Sequence, residues 1–485
     1  MDSPVKTYDA IVIGTGSGLG LVNGIIEDNP DAKIAVIDKD EPGGICLTRG
    51  CIPSKILVYC ADLVRIIGTA GKFGIETEII HVDFPAIMDR MRSMVKSDVE
   101  SIREGLTTVP NIEYFPSAAE FVAPSTLAVS GTIITAPKIF LCTGSRPAIP
   151  PVEGLDTAGY LTSDTVLGLT KLPPSIAIIG GGYIAAEYGH FFSAMGSEVT
   201  IIGRNSRFLH EEEPEISFVA ERELGQWATI LTGHEVRRVE ISPANGKILT
   251  AVNHADGSSV GINADEILVA TGRVPNSDIL HPEKSGISLD DKGWIIVNER
   301  METSVAGIWA FGDTDGKYLF KHVANQEAVV AFFNAVLGEK KTADYRAVPH
   351  AVFMNPEIAA VGMSEETAIK QFGEKNVLIG FHEYEQTAKG SAMDTRNAFA
   401  KIILEASTGR LLGAHIIGPE ASILIQEVIN ELNSGHPSVS AITRAMHIHP
   451  ALTEVVQAAC RTVMSIEHYH HALEELGYLP KKSVS

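Results

Sequence analysis

The chain has 485 residues, 45% of them hydrophobic and 44 of them glycine, which is too long for one core and predicts two to four α/β domains. Sixty acidic residues against 39 basic ones leave a formal charge of -21, a field that repels nucleic acid and anionic lipid and excludes both as expected partners. No apolar run is long enough for a membrane span, Met1 to Asp9 lacks the basic and apolar regions of a signal peptide, and five cysteines do not make an extracellular disulfide framework. The expected location is the cytoplasm.

The first predicted strand, Ala10-Ile11-Val12-Ile13, runs into Gly14-Thr15-Gly16-Ser17-Gly18. Glycines at 14, 16 and 18 let a backbone turn approach a pyrophosphate at a helix N-terminus. Lys33 to Asp38 reads as the second strand, and Asp38 at its end is placed to accept hydrogen bonds from an adenosine ribose. Leu19 stands where this fingerprint has Gly or Ala, which puts the close packing of the helix in question.

Gly43-Gly44 and the cysteines at 46 and 51 come next. Two thiols this close on a helix that starts at a Gly-Gly turn can close a small disulfide ring, and helix-terminal amides and Lys55 favour a thiolate when it opens. The spacing leaves two other readings open, a pair of packed small side chains or half a metal site. Cys60, Cys142 and Cys460 read as packed small residues.

Strand, glycine turn and helix recur at Ile176–Glu187, with Gly180, Gly182 and Ala185 at the three fingerprint positions and Glu198–Arg204 as the following strand. Two dinucleotide sites imply two cofactors. Hydride passes from nicotinamide to flavin to disulfide, so one site is assigned to FAD and one to NAD(P)H. The second strand of this copy ends in Gly203, with Arg204 and Arg207 after it, and offers no acid for a ribose diol. A charge-assisted hydrogen bond contributes about 1.5–3 kcal/mol, so arginines holding a 2′-phosphate make NADPH the expected cofactor and NADH the alternative. Glu211-Glu212-Glu213 reads as a solvated acidic face.

Thr143-Gly144 and Thr271-Gly272 each follow an apolar strand, and Gly312-Asp313 closes another. From Val348 to Pro419 strand-rich patterning predicts an antiparallel sheet backed by helices. The segment His447–Glu454 carries imidazoles that titrate in the right range to protonate a leaving thiol and a carboxylate that can fix a tautomer. His447 reads as a non-catalytic neighbour. His468, His470 and His471 read as surface residues, and no metal site is expected.

The segment Gly-Gly-x-Cys-x4-Cys-Ile-Pro-Ser-Lys at 43–55, both glycine turns, Gly312-Asp313 and the His449–Glu454 motif together resemble the FAD-dependent pyridine-nucleotide disulfide oxidoreductases nearly end to end. The resemblance implies an α/β fold with two Rossmann-like domains, for FAD at 1–150 and 273–345 and for NAD(P) at 151–272, plus a C-terminal α+β dimerisation domain at 346–485. It implies that Cys46 attacks the substrate, that Cys51 lies against the flavin, and that Lys55 and Glu187 pair beside the reactive flavin nitrogen. Gly44, Thr143, Gly144 and Gly272 would line the cofactor turns. Asp313 would hold the ribityl and pyrophosphate portion, and Tyr183 would gate the nicotinamide pocket or simply pack. His449 would be the general base and Glu454 its orienting acid, and both would reach the cysteines of the other subunit of a homodimer.

The ring itself departs from the family pattern, with Thr48-Arg49 where relatives commonly have Asn-Val. The implied activity is dihydrolipoamide dehydrogenase-like, joining a lipoyl-type or other small dithiol to FAD and a nicotinamide cofactor. Its alternative is an NADPH-dependent reductase of a low-molecular-weight thiol disulfide, of the mycothione or glutathione type. Gly203-Arg204 and Tyr183 favour the second reading, and the Ile-Pro-Ser-Lys ending favours the first. A flavin-bearing protein without catalysis is a third reading, opposed by the intact cysteines, His449 and Glu454. Mercuric reductase and large thioredoxin reductase specialisations lack the extra cysteine pairs they need.

Overall fold

Short runs of Ile, Val and Ala, 0 to 5% exposed in Ala10–Ile13 and Ile34–Ile37, are buried on both faces and form a parallel sheet. This computed structural model describes residues 5–242 and 246–479. The first sheet has five parallel strands in the order Ile308–Ala310, Ile139–Leu141, Ala10–Ile13, Ile34–Ile37 and Ile112–Phe115. Ile13 is in register with both Ile37 and Leu141, and Leu141 with Ala310. Gly14, Asp38, Cys142-Thr143 and Gly312 therefore emerge together at the carboxyl edge, where open α/β sheets bind ligands.

A second five-stranded parallel sheet has the order Leu161–Thr162, Glu266–Val269, Ser175–Ile179, Glu198–Ile202 and Thr229–Leu231. Its register brings Gly180, Gly203 and Ala270 to one edge in the same way. Residues from 349 onward build a six-stranded antiparallel sheet whose apolar face packs on the helices Ala421–Leu432 and Glu454–Arg461. The fold is thus two Rossmann-like units and a C-terminal α+β unit. No helix of the described residues is long and apolar enough to cross a membrane.

Three local expectations change. The cysteines do not share one helix: Gly44–Thr48 ends at Arg49, and a new helix, Cys51–Thr69, starts after Gly50. The chain passes so close to itself there that a Cβ at Gly50 would lie 2.8 Å from the Ile45 carbonyl oxygen. Leu19 does not loosen the first dinucleotide helix, because Gly18 makes the close approach: a Cβ on it would lie 2.6 Å from Cys142 Sγ and 2.9 Å from Val12 Cγ1. Within the acidic run only Glu211 is exposed, while Glu212 and Glu213 are 7% and 4% exposed. Positive partners from the C-terminal unit cover them: His350 meets Glu212 at 2.7 Å and Lys401 meets Glu213 at 2.5 Å.

Candidate active site

A cavity of about 780 Å³ runs from the first glycine turn, past the cysteines, to the helix Tyr183–Met195 and the strand Pro349–Val352. Thr15 organises its dinucleotide end. Its N–H and Oγ1 donate to Asp38 Oδ2 at 2.8 and 2.5 Å, and Oγ1 accepts from Gly43 N at 2.9 Å. The two glycine turns then touch, since a Cβ at Gly44 would lie 2.5 Å from Gly16 Cα. Gly14, at φ +112°, has the Cys142 carbonyl oxygen 2.1 Å from where its Cβ would stand. No side chain fits at these positions, so backbone amides line the cavity.

The opposite wall carries Asp313, which accepts from Ser145 Oγ at 2.5 Å and lies 4.0 Å from Arg273 Nε. Burial pushes the Asp313 carboxyl up, against Ser145 and Arg273. Gly144 N donates to Thr314 Oγ1 at 2.9 Å, and Asn276 Nδ2 to the Thr143 carbonyl at 2.9 Å. Gly272, at φ +114°, opens the return strand Arg273–Pro275.

Cys46 and Cys51 are free thiols at the middle of the cavity, Cys51 the more exposed. A hydrogen bond from Cys46 holds Cys51 down to about 7, with Lys55 adding to the effect and burial and Glu187 opposing it. The same hydrogen bond, with burial, pushes Cys46 far up. One thiolate is therefore favoured, and it is Cys51. Arg49 between them is clamped by Asp40 at 2.5 Å and Asp164 at 3.2 Å.

Lys55 Nζ donates to both oxygens of Glu187 at 2.7 Å and lies 4.6 Å from the centre of the Phe353 ring. Glu187 is 5% exposed and also accepts from Phe353 N at 3.2 Å. Tyr183 stands at the start of the same helix, on the cavity wall, and is 37% exposed. His449 Nδ1 lies 2.9 Å from Glu454 Oε1, whose second oxygen accepts from Ala451 N at 3.1 Å. The hydrogen bond from His449 lowers Glu454. This pair does not line the cavity of its own chain, and the His449 side chain is 71% exposed. His447 turns away to Glu427 at 3.0 Å.

At the second glycine turn a Cβ at Gly180, φ +135°, would lie 2.1 Å from the Ala270 carbonyl oxygen. Gly182 precedes the helix. Gly203 is buried opposite Gly181, while Arg204 is exposed and free of ion pairs among the described residues. Arg207 Nη2 is tied to the His210 carbonyl at 3.0 Å. Sequence reasoning missed Thr15, Arg273, Lys321 and His350, which line the cavity through contacts between distant segments. Only Thr15, inside the glycine turn, had a local signal.

Two dinucleotide folds facing one thiol pair define a class, the nicotinamide-linked dithiol oxidoreductases that work through a second dinucleotide. The chain belongs to the pyridine nucleotide-disulphide oxidoreductase family: residues 8–328 match its family model and residues 348–460 match its dimerisation domain. It is 37% identical to a mycothione reductase of Mycobacterium tuberculosis, over 94% of this chain and 99% of that one. It is 34% identical to a dihydrolipoyl dehydrogenase of Chlamydia trachomatis, over 93% and 95%. Among solved structures it resembles the HOCl-induced flavoprotein disulfide reductase RclA from Escherichia coli, with a TM-score of 0.82, 28% identity and coverage of 94% and 99%. It is an FAD- and NAD(P)H-dependent disulfide oxidoreductase. FAD fits the cavity, whose two side-chain-free turns leave amides for a diphosphate and whose length reaches Cys51.

Proposed function

We propose that the chain is a cytoplasmic homodimer that uses NADPH to reduce a low-molecular-weight disulfide. The observation that carries this reading is Gly203: the strand end that would offer a carboxylate to a ribose diol has no side chain, and exposed Arg204 beside it has no counter-charge among the described residues. The reading divides the chain into an FAD part at 1–150 and 273–345, an NAD(P) part at 151–272 and an interface part at 346–485.

The glycine turns at 14–18 and 43–44 would hold FAD, which would supply a two-electron link between the nicotinamide and the cysteine pair. In the dithiol state Cys46 attacks the substrate disulfide, giving a Cys46–substrate mixed disulfide, and the first leaving thiolate takes a proton from His449. Cys51 thiolate then attacks Cys46 Sγ, closing the protein disulfide and releasing the second thiolate of the substrate. His449 has accepted the Cys46 proton at the start, and Glu454 holds its tautomer. Lys55, oriented by buried Glu187, keeps a positive charge beside Cys51.

His449 can serve these steps only from the other subunit. Exposed apolar side chains support that arrangement: Met446 and Ile448 beside the histidine, and Tyr59, Leu63 and Ile66 at helical spacing on the cysteine helix. A dihydrolipoyl dehydrogenase would use the same thiols in the other direction with NAD.

Specificity constants with both nicotinamide cofactors, over mycothiol-type, glutathione-type and lipoyl disulfides, test the reading. NADPH with a small thiol disulfide is expected to win, and Arg204→Ala to lower the NADPH constant about 10- to 100-fold, the range for one charge-assisted hydrogen bond. A strong NADH preference with lipoamide would overturn it.

A further inference from the structure

Five lysines and arginines line the central cavity: Lys39, Arg49, Lys55, Arg273 and Lys321. Four of them have a carboxylate within 4.0 Å, at Asp40, Asp40 and Asp164, Glu187 and Asp313 respectively. Lys321 has none among the described residues. A half-buried cation without a counter-ion is unexpected in a chain of charge -21.

Its one side-chain polar contact among the described residues shows where it points. Nζ lies 3.1 Å from Ser17 Oγ, on the glycine turn that ends in Gly18, and Ser17 Oγ in turn donates to Asn325 Oδ1 at 2.9 Å. Lys321 is the first residue of the helix Lys321–Ala335 and Asn325 lies one turn further on, so a single helix holds both the lysine and the serine. The positive charge is also felt at Cys46, Cys142 and Asp313, which line the same cavity.

We propose that Lys321 is the counter-charge of the FAD diphosphate, delivered to the first glycine turn through Ser17. The turn supplies amides but no net charge, and a diphosphate carries about two negative charges into a protein that is already strongly acidic. An ammonium can act there as a point charge, without the planar geometry an arginine needs. The proposal rests on FAD as the family's cofactor and is independent of which disulfide or nicotinamide the protein prefers.

The test is reconstitution of flavin-free protein with FAD, followed by flavin fluorescence at several salt concentrations, for the wild type, Lys321→Met and Lys321→Gln. Both substitutions are expected to raise the FAD Kd about 10- to 100-fold and to flatten its dependence on salt. The midpoint potential of the reloaded flavin should stay at the wild-type value, because the charge acts on the diphosphate. Lys321→Gln keeps a polar head and serves if Lys321→Met does not fold. A Kd within about threefold of wild type would overturn the proposal. So would an affinity loss with an unchanged salt slope, which marks packing, or a displaced midpoint potential, which would put the lysine at the flavin ring.

Discussion

Lys55 and Lys401 meet carboxylates at nearly the same distances, 2.7 Å for Lys55 and 2.5 to 2.7 Å for Lys401, yet their surroundings are opposite. Lys55 has one carboxylate partner, a side chain 33% exposed, and a cavity on its open side. Lys401 is fully buried among Glu213, Glu215 and Glu365, and Tyr469 closes the cluster by donating to Glu215 at 2.7 Å. Burial pulls Lys401 down, but Glu215, Glu213 and Glu365 outweigh it and hold the ammonium charged. The three carboxylates have the spacing of a metal site, and the ammonium stands in that position. Ion pairing by itself therefore does not mark chemistry in this molecule; what the pair faces does.

The sharpest way to break the comparison is Lys401→Met. It leaves three buried carboxylates without their cation and should cost about 3–5 kcal/mol of stability, with turnover per folded, flavin-loaded molecule within about a factor of two of wild type. Denaturant unfolding beside specific activity reads both. The pH dependence has a definite sign. Glu213 is held below its usual 4.5 by Lys401 and His415 against the burial that would raise it, so its share of stability is full above that value and is lost as pH falls through the lower folded one. Unfolding midpoints measured from pH 7 down to pH 3 should drop at the acid end.

Lys55→Met should show the reverse. Expected is a fall of about 10²–10³ in the rate of flavin reduction or of its reoxidation by disulfide, the range for losing one preorganised electrostatic partner, with a smaller stability loss than at Lys401. Stopped-flow bleaching of the flavin by NADPH measures it. If Lys55→Met changed only stability, the two lysines would be the same kind of device. The smallest effect expected is in titration. Cys51 should ionise near pH 7 in the two-electron-reduced protein, and Lys55→Met should move that value up by about one unit, equivalent to about 1.4 kcal/mol. Absorbance against pH checks it.

Much of this was legible in the chain. The two strand–glycine–helix units, the cysteine pair and the His449–Glu454 motif are local patterns, and local hydrogen bonding and sterics place them. Most of the unexpected features are made by contacts across long sequence separations. Lys401 lies in Phe399–Glu405, an apolar strand with one lysine inside it, which hints at a buried charge but not at Glu213, 188 residues away. The acidic run looked solvated because nothing near it in sequence carries the cations that cover it. Lys321 is 304 residues from Ser17, and no periodicity reports such a contact. The break at Arg49-Gly50 is the exception: it is local, and the glycine between the thiols was its visible sign.

On the proposed reading the two thiols divide the work, Cys51 facing the cofactor as a thiolate and Cys46 facing the substrate. Anaerobic absorbance spectra of Cys46→Ser and Cys51→Ser, each flavin-loaded and recorded at pH 8, test it most directly. Cys46→Ser should keep a long-wavelength thiolate-to-flavin charge-transfer band and lose disulfide turnover, and Cys51→Ser should show no band. A band that survives in Cys51→Ser and vanishes in Cys46→Ser would contradict the account.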